Sequence, residues 1–453
     1  MAVAEHTYSY LAPSTVAIDD SRSELTLATS GGREANPYFF TGFLGRPQQT
    51  AAALLVVGEV ARTRYYEPPG MVSARILAAD PVVTSNVDRL RFESFSACAG
   101  VYARLDLEPG VLDRRPAAWG TTNVDFNPPM RAALARIRDS DAMLMHVGHD
   151  EVRVTTLAGS EVERKVPLPE RWVKGFAEVQ VASAHMLLRH ELSAVETRHF
   201  LRSLPRTRSR SVAWATTAGK GLRLASRPDD AAVCLAGPER LRLLEKLVPF
   251  ARGLRVYGPP PAPKRAPEPS AWELVLDDAR VGFVVSPELY RGFSGEGGVL
   301  TDLTFADEEV VDEVAERLHG EPEIDAGGVA LELGLARPSV QSALGALAAA
   351  GRVGYDLGAS AFFHRELPYD RAVLEAMHPR LLGARRLVEE GAVRLDEDGV
   401  GAGVTSGDAE YRVRFDPART RCTCAWFARH GGERGPCKHV LAAEHARRRA
   451  AVP

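Results

Sequence analysis

Cysteine is scarce in this chain, which has five cysteines in 453 residues. A small secreted scaffold held together by disulfides is therefore excluded, because such scaffolds carry several cysteine pairs in a short chain. Long hydrophobic runs are also missing, and the longest, residues 51–57, falls far short of the roughly 20 residues that span a bilayer. We recognise no signal peptide, so we expect a cytoplasmic protein without a membrane partner.

The usual signatures of catalysis are missing too. The segment RHELS, residues 189–193, lacks the H-E-x-x-H spacing of a zinc protease, and G-K-G at residues 219–221 lacks the spacing of a phosphate-binding loop. We find no nucleophile and base, no paired carboxylates and no catalytic metal pattern at adequate spacing. Since catalytic residues need not be adjacent in sequence, an enzyme with an unrecognised active site in residues 30–250 stays an open alternative.

Three of the five cysteines lie close together near the C-terminus. Cys422, Cys424 and Cys437 fall within sixteen positions, and His439 completes a pattern of C-x-C, a twelve-residue gap and C-x-H. On a β-strand, residues two apart point to the same face, so the C-x-C pair aims two sulfurs at one point. A Gly-Pro pair precedes Cys437, which we place at the start of a helix, where the amide dipoles favour a thiolate. Three thiolates and one imidazole suit zinc and fill its four positions, so we predict one structural zinc ion. The alternatives are that these are ordinary small residues, or that the C-x-C pair is redox-active.

This pattern resembles the SWIM zinc finger, whose signature is C-x-C, a variable gap and C-x-H on a ββα unit. The resemblance covers residues 408–449 and assigns the four zinc ligands without departure from the signature. The alternation in EYRVRF, residues 410–415, predicts the first strand, and we expect the second over residues 422–427. SWIM fingers are regarded as DNA-binding or protein-interaction modules, so the resemblance implies a nucleic acid or a protein as partner.

Charge is unevenly distributed along the chain. Residues 411–453 carry nine arginines and one lysine against three acidic residues, a net charge of +7, so the remainder carries −10 of the total of −3. A basic tail on an acidic body predicts an anionic partner, either nucleic acid or an acidic protein face, and the alternative is a solvated surface. The candidate contact residues are Arg421, Arg429, Arg434, Lys438, Arg447, Arg448 and Arg449.

Length and composition predict a multidomain α+β protein, because domains hold about 150 residues each. Six prolines in residues 258–270 predict a semi-rigid spacer. We divide the chain into an N-terminal mixed α+β domain (1–204), a small α+β segment (211–257), the Pro-rich linker (258–270), a β-hairpin segment (271–306), a winged-helix-like domain (307–390) and the zinc finger (408–449).

The segment before the finger resembles a winged helix-turn-helix. Helices are predicted at residues 307–319, 326–334 and 339–350, followed by a two-strand wing at 352–355 and 361–364 and a further helix at 369–390. A third helix that reads DNA should present Arg, Lys, Asn or Gln to the base edges, but this one offers Gln341 alone, flanked by Arg337 and Arg352. We therefore favour a packing or protein-docking role over the reading of a DNA sequence.

The leading hypothesis is a non-enzymatic zinc-binding adaptor that uses its finger to bind a protein partner or nucleic acid. A long N-terminal portion followed by a winged helix and a SWIM finger is similar to bacterial SWIM-family proteins of this size. Members of that family are suspected of working beside MoxR-type ATPases, so the resemblance implies a protein partner of that system. The high usage of Ala, Arg and Gly favours a bacterial origin.

Overall fold

The computed structural model describes residues 15–19, 22–27, 38–66, 81–86, 88–123, 126, 128–148, 170–209, 211–261, 266–288, 292–295, 297, 300, 306–318, 321–367, 378–416, 420–431 and 435–451. The strands are β1 Thr15–Asp19, β2 Arg22–Leu27, β3 Tyr38–Leu44, β4 Val82–Ser85, β5 Leu90–Phe95, β6 Val101–Leu107, β7 Gly120–Asn123, β8 Ala142–Gly148, β9 Leu187–Ser193, β10 Val212–Ala218, β11 Gly221–Ala225, β12 Val233–Ala236, β13 Gly253–Gly258, β14 Ser270–Leu276, β15 Ala279–Val285, β16 Val353–Asp356, β17 Ala361–His364, β18 Val393–Leu395, β19 Gly401–Ser406, β20 Ala409–Arg414 and β21 Arg421–Cys422. The α-helices are α1 Pro47–Arg62, α2 Pro128–Leu134, α3 Glu170–Ala184, α4 Ala194–Ser203, α5 Glu308–Arg317, α6 Ala326–Leu333, α7 Arg337–Ala349, α8 Pro379–Glu389, α9 Ala425–His430 and α10 Lys438–Ala451, and a long 3₁₀ helix spans Pro238–Phe250.

The body of the protein is built on an eight-stranded antiparallel sheet with the order β7-β4-β5-β6-β15-β14-β13-β9. Its central strands β5 and β6 are buried along their whole length. Alternation along these strands separates two faces: Leu90 and Phe92 belong to the apolar core beneath α1, whereas Arg91 and Glu93 point to the other face and are buried there as well. A sheet face with buried charges needs partners of opposite charge from a second layer.

Two smaller sheets flank this body. One has the order β1-β2-β8-β3, in which β2 and β8 are parallel, and the other is the three-stranded sheet β11-β10-β12. Helix α1, which begins at a proline, packs against β5, β6 and the 3₁₀ helix. The architecture is therefore a mixture of helices and sheets, as the sequence predicts.

The boundaries predicted between residues 204 and 306 do not separate domains. Strand β6, from the predicted N-terminal domain, pairs with β15 of the predicted hairpin segment, and β9 pairs with β13 of the predicted 211–257 segment. The Pro-rich segment 258–270, predicted to be a spacer between domains, connects β13 and β14, which pair with each other. The prediction was wrong because local composition carries no information about which distant strands share a sheet.

Beyond the sheet, the helices α5, α6 and α7 are followed by the hairpin of β16 and β17, close to the predicted positions of three helices and two strands. Helix α7 packs against both α3 and α5 and is buried from residue 343 to its end. Its exposed residues lie in and next to its first turn, at positions 337–339 and 341. The predicted helix at 369–390 is observed as α8, and residues 369–377 lie outside the described residues.

The hairpin is fastened to the charged face of the large sheet through Asp356. The Asp356 carboxylate accepts hydrogen bonds from Nη1 and Nη2 of Arg280, at 2.7 and 2.8 Å. Arg104 and Arg91 lie 3.2 and 3.4 Å from the same carboxylate, and Arg89 lies 3.8 Å away. Because the Asp356 side chain is 1% exposed, this is a buried ion-pair network between two layers of the protein.

The C-terminal segment forms a four-stranded sheet, β18-β19-β20-β21, which packs against α10, and α10 packs against α8. The predicted first strand at 410–415 is observed as β20. The predicted second strand at 422–427 is wrong in most of its length, because β21 ends at Cys422 and α9 begins at Ala425. The reason is local: the Cys424 side chain accepts a hydrogen bond from the Phe427 amide and caps a short helix, which ends at a left-handed glycine, Gly431.

Candidate metal centre

The four predicted ligands come from three different elements of the C-terminal segment. Cys422 is the last residue of β21, and Cys424 precedes α9. Cys437 lies directly before α10, and His439 is in the first turn of that helix. All four side chains are buried. The strand end, the cap of the short helix and the start of the long helix therefore meet at one point.

The distances between the ligand atoms suit a tetrahedral ion. The three sulfurs and one imidazole nitrogen all lie within 4.8 Å of one another. Sγ of Cys422 is 3.8 Å from Nδ1 of His439. A tetrahedron with zinc bonds of about 2.3 Å to sulfur and about 2.0 Å to nitrogen has edges of about 3.6 Å between these atoms. The donor set of these four residues therefore fits a zinc ion.

Each of the three sulfurs also accepts a hydrogen bond from a backbone amide. The amide of Cys424 donates to Sγ of Cys422 at 3.5 Å, and the amide of Phe427 donates to Sγ of Cys424 at 3.4 Å. The amide of Val440 donates to Sγ of Cys437 at 3.5 Å. Such bonds favour the thiolate over the thiol, because the amide hydrogen points at the negative charge. The backbone is therefore arranged around three thiolates.

The pKa values of the cysteines show why a cation belongs among them. The hydrogen bond with Cys422 lowers the pKa of Cys437 to about 4, and hydrogen bonds from His439 and the Val440 amide act in the same direction. The hydrogen bond with Cys437 and burial raise the pKa of Cys422, and burial raises the pKa of Cys424. Without an ion, one thiolate therefore keeps its neighbours protonated. A divalent cation removes this conflict, since a coordinating thiol is deprotonated by the ion.

The ring of His439 is oriented by stacking. It lies against the Tyr411 ring with centroids 4.2 Å apart and planes at 23°. Its second nitrogen, Nε2, is buried and has no hydrogen-bond partner among the described residues. A metal-binding histidine usually receives its orientation from a hydrogen bond to the nitrogen that does not bind the metal. Here the aromatic contact from β20 takes that part.

Replacing Tyr411 with alanine should weaken zinc binding by about tenfold, because His439 loses the contact that orients its ring. The measurement is a competition titration with a coloured zinc chelator. Tyr411→Phe keeps the ring and should bind zinc as the unaltered protein does. Equal affinities for all three proteins would show that the stacking has no part in holding the ligand.

The loop that enters the centre is held against the rest of the protein. Gly435 has φ = +74°, and a Cβ at this position would lie 2.6 Å from the carbonyl oxygen of Gly297, so the close approach requires glycine. Arg380 of α8 donates to the carbonyl of Pro436 at 2.8 Å, and its guanidinium lies 4.6 Å from the centroid of the Trp426 ring. The metal centre is therefore attached to the segments that precede it.

The predicted contact residues make different kinds of contact. Lys438 donates to the Ser406 hydroxyl at 2.9 Å, and the Arg447 guanidinium lies 4.3 Å from the centroid of the Phe415 ring. Arg448 lines a cavity that it shares with α7. Three further members are exposed: Arg421 on β21, Arg429 on α9 and Arg449 on α10. Arg434 lies outside the described residues.

Sequence reasoning missed a second group of arginines, on the face of the sheet opposite α10. Register places Arg394 across from Gly403 and Gly403 across from Arg412. In the neighbouring row, Arg414 lies directly opposite Arg421. The signal was present in EYRVRF, because a strand that buries Val413 must turn both flanking arginines to the other face.

A groove of about 530 Å³ runs along this face. It is lined by Arg412, Arg414 and Arg421 together with two acidic residues, Asp396 and Asp398. Arg412 is paired with Asp396 through two hydrogen bonds, at 3.1 and 2.6 Å. Among the described residues, neither Arg414 nor Arg421 has a salt bridge.

Comparison with known proteins identifies the C-terminal segment. The family model of the SWIM zinc finger matches residues 411–448, so the chain carries a SWIM zinc finger there. No curated protein matches the chain. Among the described residues, no helix is long and apolar enough to cross a membrane.

Two solved structures resemble the chain distantly. One is Proliferating Cellular Nuclear Antigen from Entamoeba histolytica, with 8% identity, 55% of this chain and 99% of that chain covered, and a TM-score of 0.33. The other is the PCNA2-PCNA3 complex from Sulfolobus tokodaii, with 7% identity, 55% of this chain and 100% of that chain covered, and a TM-score of 0.34. At these scores the likeness carries no argument about fold or function.

Proposed function

We propose that this protein, which holds one zinc ion in a SWIM finger, is a non-enzymatic adaptor that docks an acidic protein partner on the outer face of that finger. The observation that carries the proposal is the cross-strand pair of Arg414 and Arg421. Like charges directly opposite each other in a sheet are destabilising, and among the described residues no acid is paired with either. A partner that places a carboxylate between them relieves the repulsion.

The mixed charge of the groove favours a protein over a nucleic acid. Asp396 and Asp398 lie in the same groove as the arginines, and a continuous phosphate backbone would meet both of these carboxylates. A protein surface can place single acidic residues beside the arginines and basic residues beside the acids. Charges arranged in this way set the specificity of protein interfaces.

We also propose that the winged-helix-like unit packs and docks rather than reading DNA. In a winged helix that reads DNA, the third helix enters the major groove. Here α7 is buried against α3 and α5 over most of its length. The hairpin that follows it is held by the buried carboxylate of Asp356. Both elements are engaged within the protein, which supports a role in positioning the finger.

The charge pair gives a direct test by affinity capture. Arg414→Glu combined with Arg421→Glu should abolish capture of the partner that the intact protein retains, and so should Cys437→Ser, because the finger no longer folds. Arg206→Glu, at an exposed position outside the finger, should capture the partner as the intact protein does. A MoxR-type ATPase, the partner implied by bacterial SWIM proteins, is the first candidate for identification. Capture that survives the double charge reversal would contradict the proposal.

Nucleic-acid binding is tested separately by a mobility shift at several salt concentrations. Phosphate contacts predict affinity that falls steeply with salt. The adaptor proposal expects weak binding that does not depend on Arg414 and Arg421. Tight, salt-sensitive binding that the double charge reversal removes would make nucleic acid the partner. The remaining alternative is that the protein is an enzyme with an active site in residues 30–250. A turnover assay that compares a captured complex with and without this protein tests that alternative.

A further inference from the structure

The segment of residues 194–227, which contains α4, a loop and the hairpin of β10 and β11, carries a concentrated positive charge. It holds seven arginines and one lysine against one glutamate, a net charge of +7. With Asp229 and Asp230, which follow it, the net charge is still +5. Because residues 411–453 also carry +7 and the whole chain carries −3, the remaining residues carry −17. The protein therefore has a second basic segment, outside the finger, in an otherwise acidic chain.

The cations of this segment are exposed, and no described acid lies within salt-bridge distance of those that the structure describes. These are Arg198, Arg202, Arg206, Arg208, Lys220, Arg223 and Arg227. The glutamate of the segment, Glu196, is engaged in the capping box of α4, where it accepts hydrogen bonds from the amide and the hydroxyl of Ser193 at 2.8 and 2.7 Å. In contrast, the exposed arginines Arg252 and Arg412 are each paired with an aspartate. The segment therefore offers its charge to an anion from outside the protein.

Helix α4 presents its two arginines on one face. Arg198 and Arg202 are exposed, whereas Phe200 and Leu201 between them are buried. Residues four apart are neighbours on a helix surface, and like charges at this spacing repel each other. An anion beside both side chains would relieve this repulsion.

The hairpin of β10 and β11 lies against the same helix. Leu222 and Leu224 of β11 pack against the apolar core that also holds the buried side of α4. Hydrogen bonds from Ser193 lower the pKa of Glu196, and the charge of Lys220 acts in the same direction, so the hairpin turn lies close to the first turn of α4. The helix and the hairpin are therefore one packed unit that carries cations on both elements.

The composition of this surface favours a phosphate backbone as the partner. Among the described residues of the segment, Val195 is the one large apolar side chain that is exposed. The centre of a protein interface is usually apolar, whereas phosphates are contacted by arginine, lysine, serine and threonine. Exposed hydroxyls stand between the arginines at Ser203 and Thr207. Single strands are held by the stacking of bases on aromatic rings, but Phe200 and Trp214 are buried here, which favours a duplex.

We propose that residues 194–227 bind the phosphate backbone of double-stranded DNA independently of its sequence, with Arg198 and Arg202 among the contacts. Guanidinium groups suit this role because their planar donors match the oxygens of a phosphate. Binding of this kind is weak at physiological salt and becomes stronger at low salt. The inference does not rest on the proposed protein partner, whose contact arginines lie in the finger.

Fluorescence anisotropy of the full zinc-loaded chain with a short labelled DNA duplex tests the proposal. Two duplexes of unrelated sequence should bind equally. Arg198→Gln combined with Arg202→Gln should weaken binding at least about tenfold at low salt and reduce the slope of log affinity against log salt by about 2, because each phosphate contact contributes about 0.9 to that slope. Arg136→Gln combined with Arg138→Gln removes two exposed arginines outside the segment and should bind as the intact protein does. No binding by the intact protein, or equal binding by both double variants, would overturn the proposal.

A second pair of substitutions keeps the test decisive if the α4 variant melts at a lower temperature than the intact protein. Lys220→Gln combined with Arg223→Gln, in the hairpin, should also weaken binding and reduce the salt slope. An unchanged affinity and slope for this variant would overturn the segment as the contact.

Three other anions test the identity of the partner. Single-stranded DNA of the same length should bind more weakly than the duplex, and an equal affinity would overturn the duplex as the ligand. Duplex RNA that bound at least about tenfold more tightly would overturn DNA. Polyglutamate carries carboxylates in place of phosphates and should compete poorly. If it displaced the labelled duplex as well as unlabelled duplex does at the same concentration of charge, an acidic protein would replace DNA as the partner.

Discussion

Cys437→Ser should leave the purified protein without zinc, whereas the unaltered protein carries one ion per chain. The variant should also lose the fold of residues 393–451 while the eight-stranded sheet stays folded. The reason is that binding and folding of a zinc finger share one free energy, on the order of 10–16 kcal/mol. The sheet of the finger is small: Cys422 is the last residue of a strand of only two residues, and Cys424 lies two positions later, before α9. Elemental analysis gives the zinc content, and limited digestion with trypsin reports on the exposed arginines of the finger.

Cys234→Ser is the matched control for this variant. Cys234 is also buried, but it lies in a separate small cluster with Trp214 and Ala232, outside the four ligands. The control should retain one zinc ion and resist trypsin in its finger, and the circular dichroism of both variants should keep the signal of the large sheet. If Cys437→Ser retained a full zinc ion, or if the unaltered protein contained none, the metal centre would not exist as described.

Asp356→Asn should lower the free energy of unfolding by about 3–5 kcal/mol, the usual cost of removing one partner from a buried ion pair. The substitution keeps the shape of the side chain and removes its charge. It leaves Arg280, Arg104 and Arg91 facing an amide on the buried face of the sheet. Urea unfolding followed by tryptophan fluorescence measures the change. We expect the hairpin and α7 to become more susceptible to hydrogen exchange than the sheet.

A matched control for Asp356 is a second aspartate that accepts two hydrogen bonds from one arginine. Asp396 accepts two hydrogen bonds from Arg412, but these side chains are 26% and 54% exposed. Asp396→Asn should therefore cost no more than about 1 kcal/mol, because solvent screens an exposed pair. Equal losses for the two variants would mean that the buried network contributes nothing beyond a surface pair.

The same carboxylate predicts how stability depends on pH. Burial raises the pKa of Asp356, but the charge of Arg104 and the hydrogen bonds and charge of Arg280 outweigh it and bring this pKa well below its usual value. A carboxyl group with a lower pKa in the folded state stabilises the protein above its unfolded pKa, about 3.9. The contribution is therefore present at neutral pH and is lost as pH falls below about 4. Asp356→Asn should lack this part of the acid dependence.

The sequence alone determined the zinc ligands and much of the local structure around them. Cys422, Cys424, Cys437 and His439 are close in the chain, so their spacing by itself restricts how they can meet. The alternation that predicts β20 and the proline that begins α1 are also local signals. The prediction of the second strand of the finger was wrong because a cysteine that caps a helix, as Cys424 does, fits the same C-x-C pattern as a cysteine on a strand.

Only the tertiary structure decided how the distant parts are joined. The pairing of β6 with β15 brings together residues that lie more than 170 positions apart in the sequence. The local sequence of either strand does not predict which strand it pairs with. The buried arginines around Asp356 and the cavity shared by Arg337 and Arg448 arise from the same long-range packing. A short motif fixes its own geometry through the backbone between its residues. Contacts across a core depend on all burial and charge interactions of the protein together. They can therefore be identified from the tertiary structure but not from a local sequence pattern.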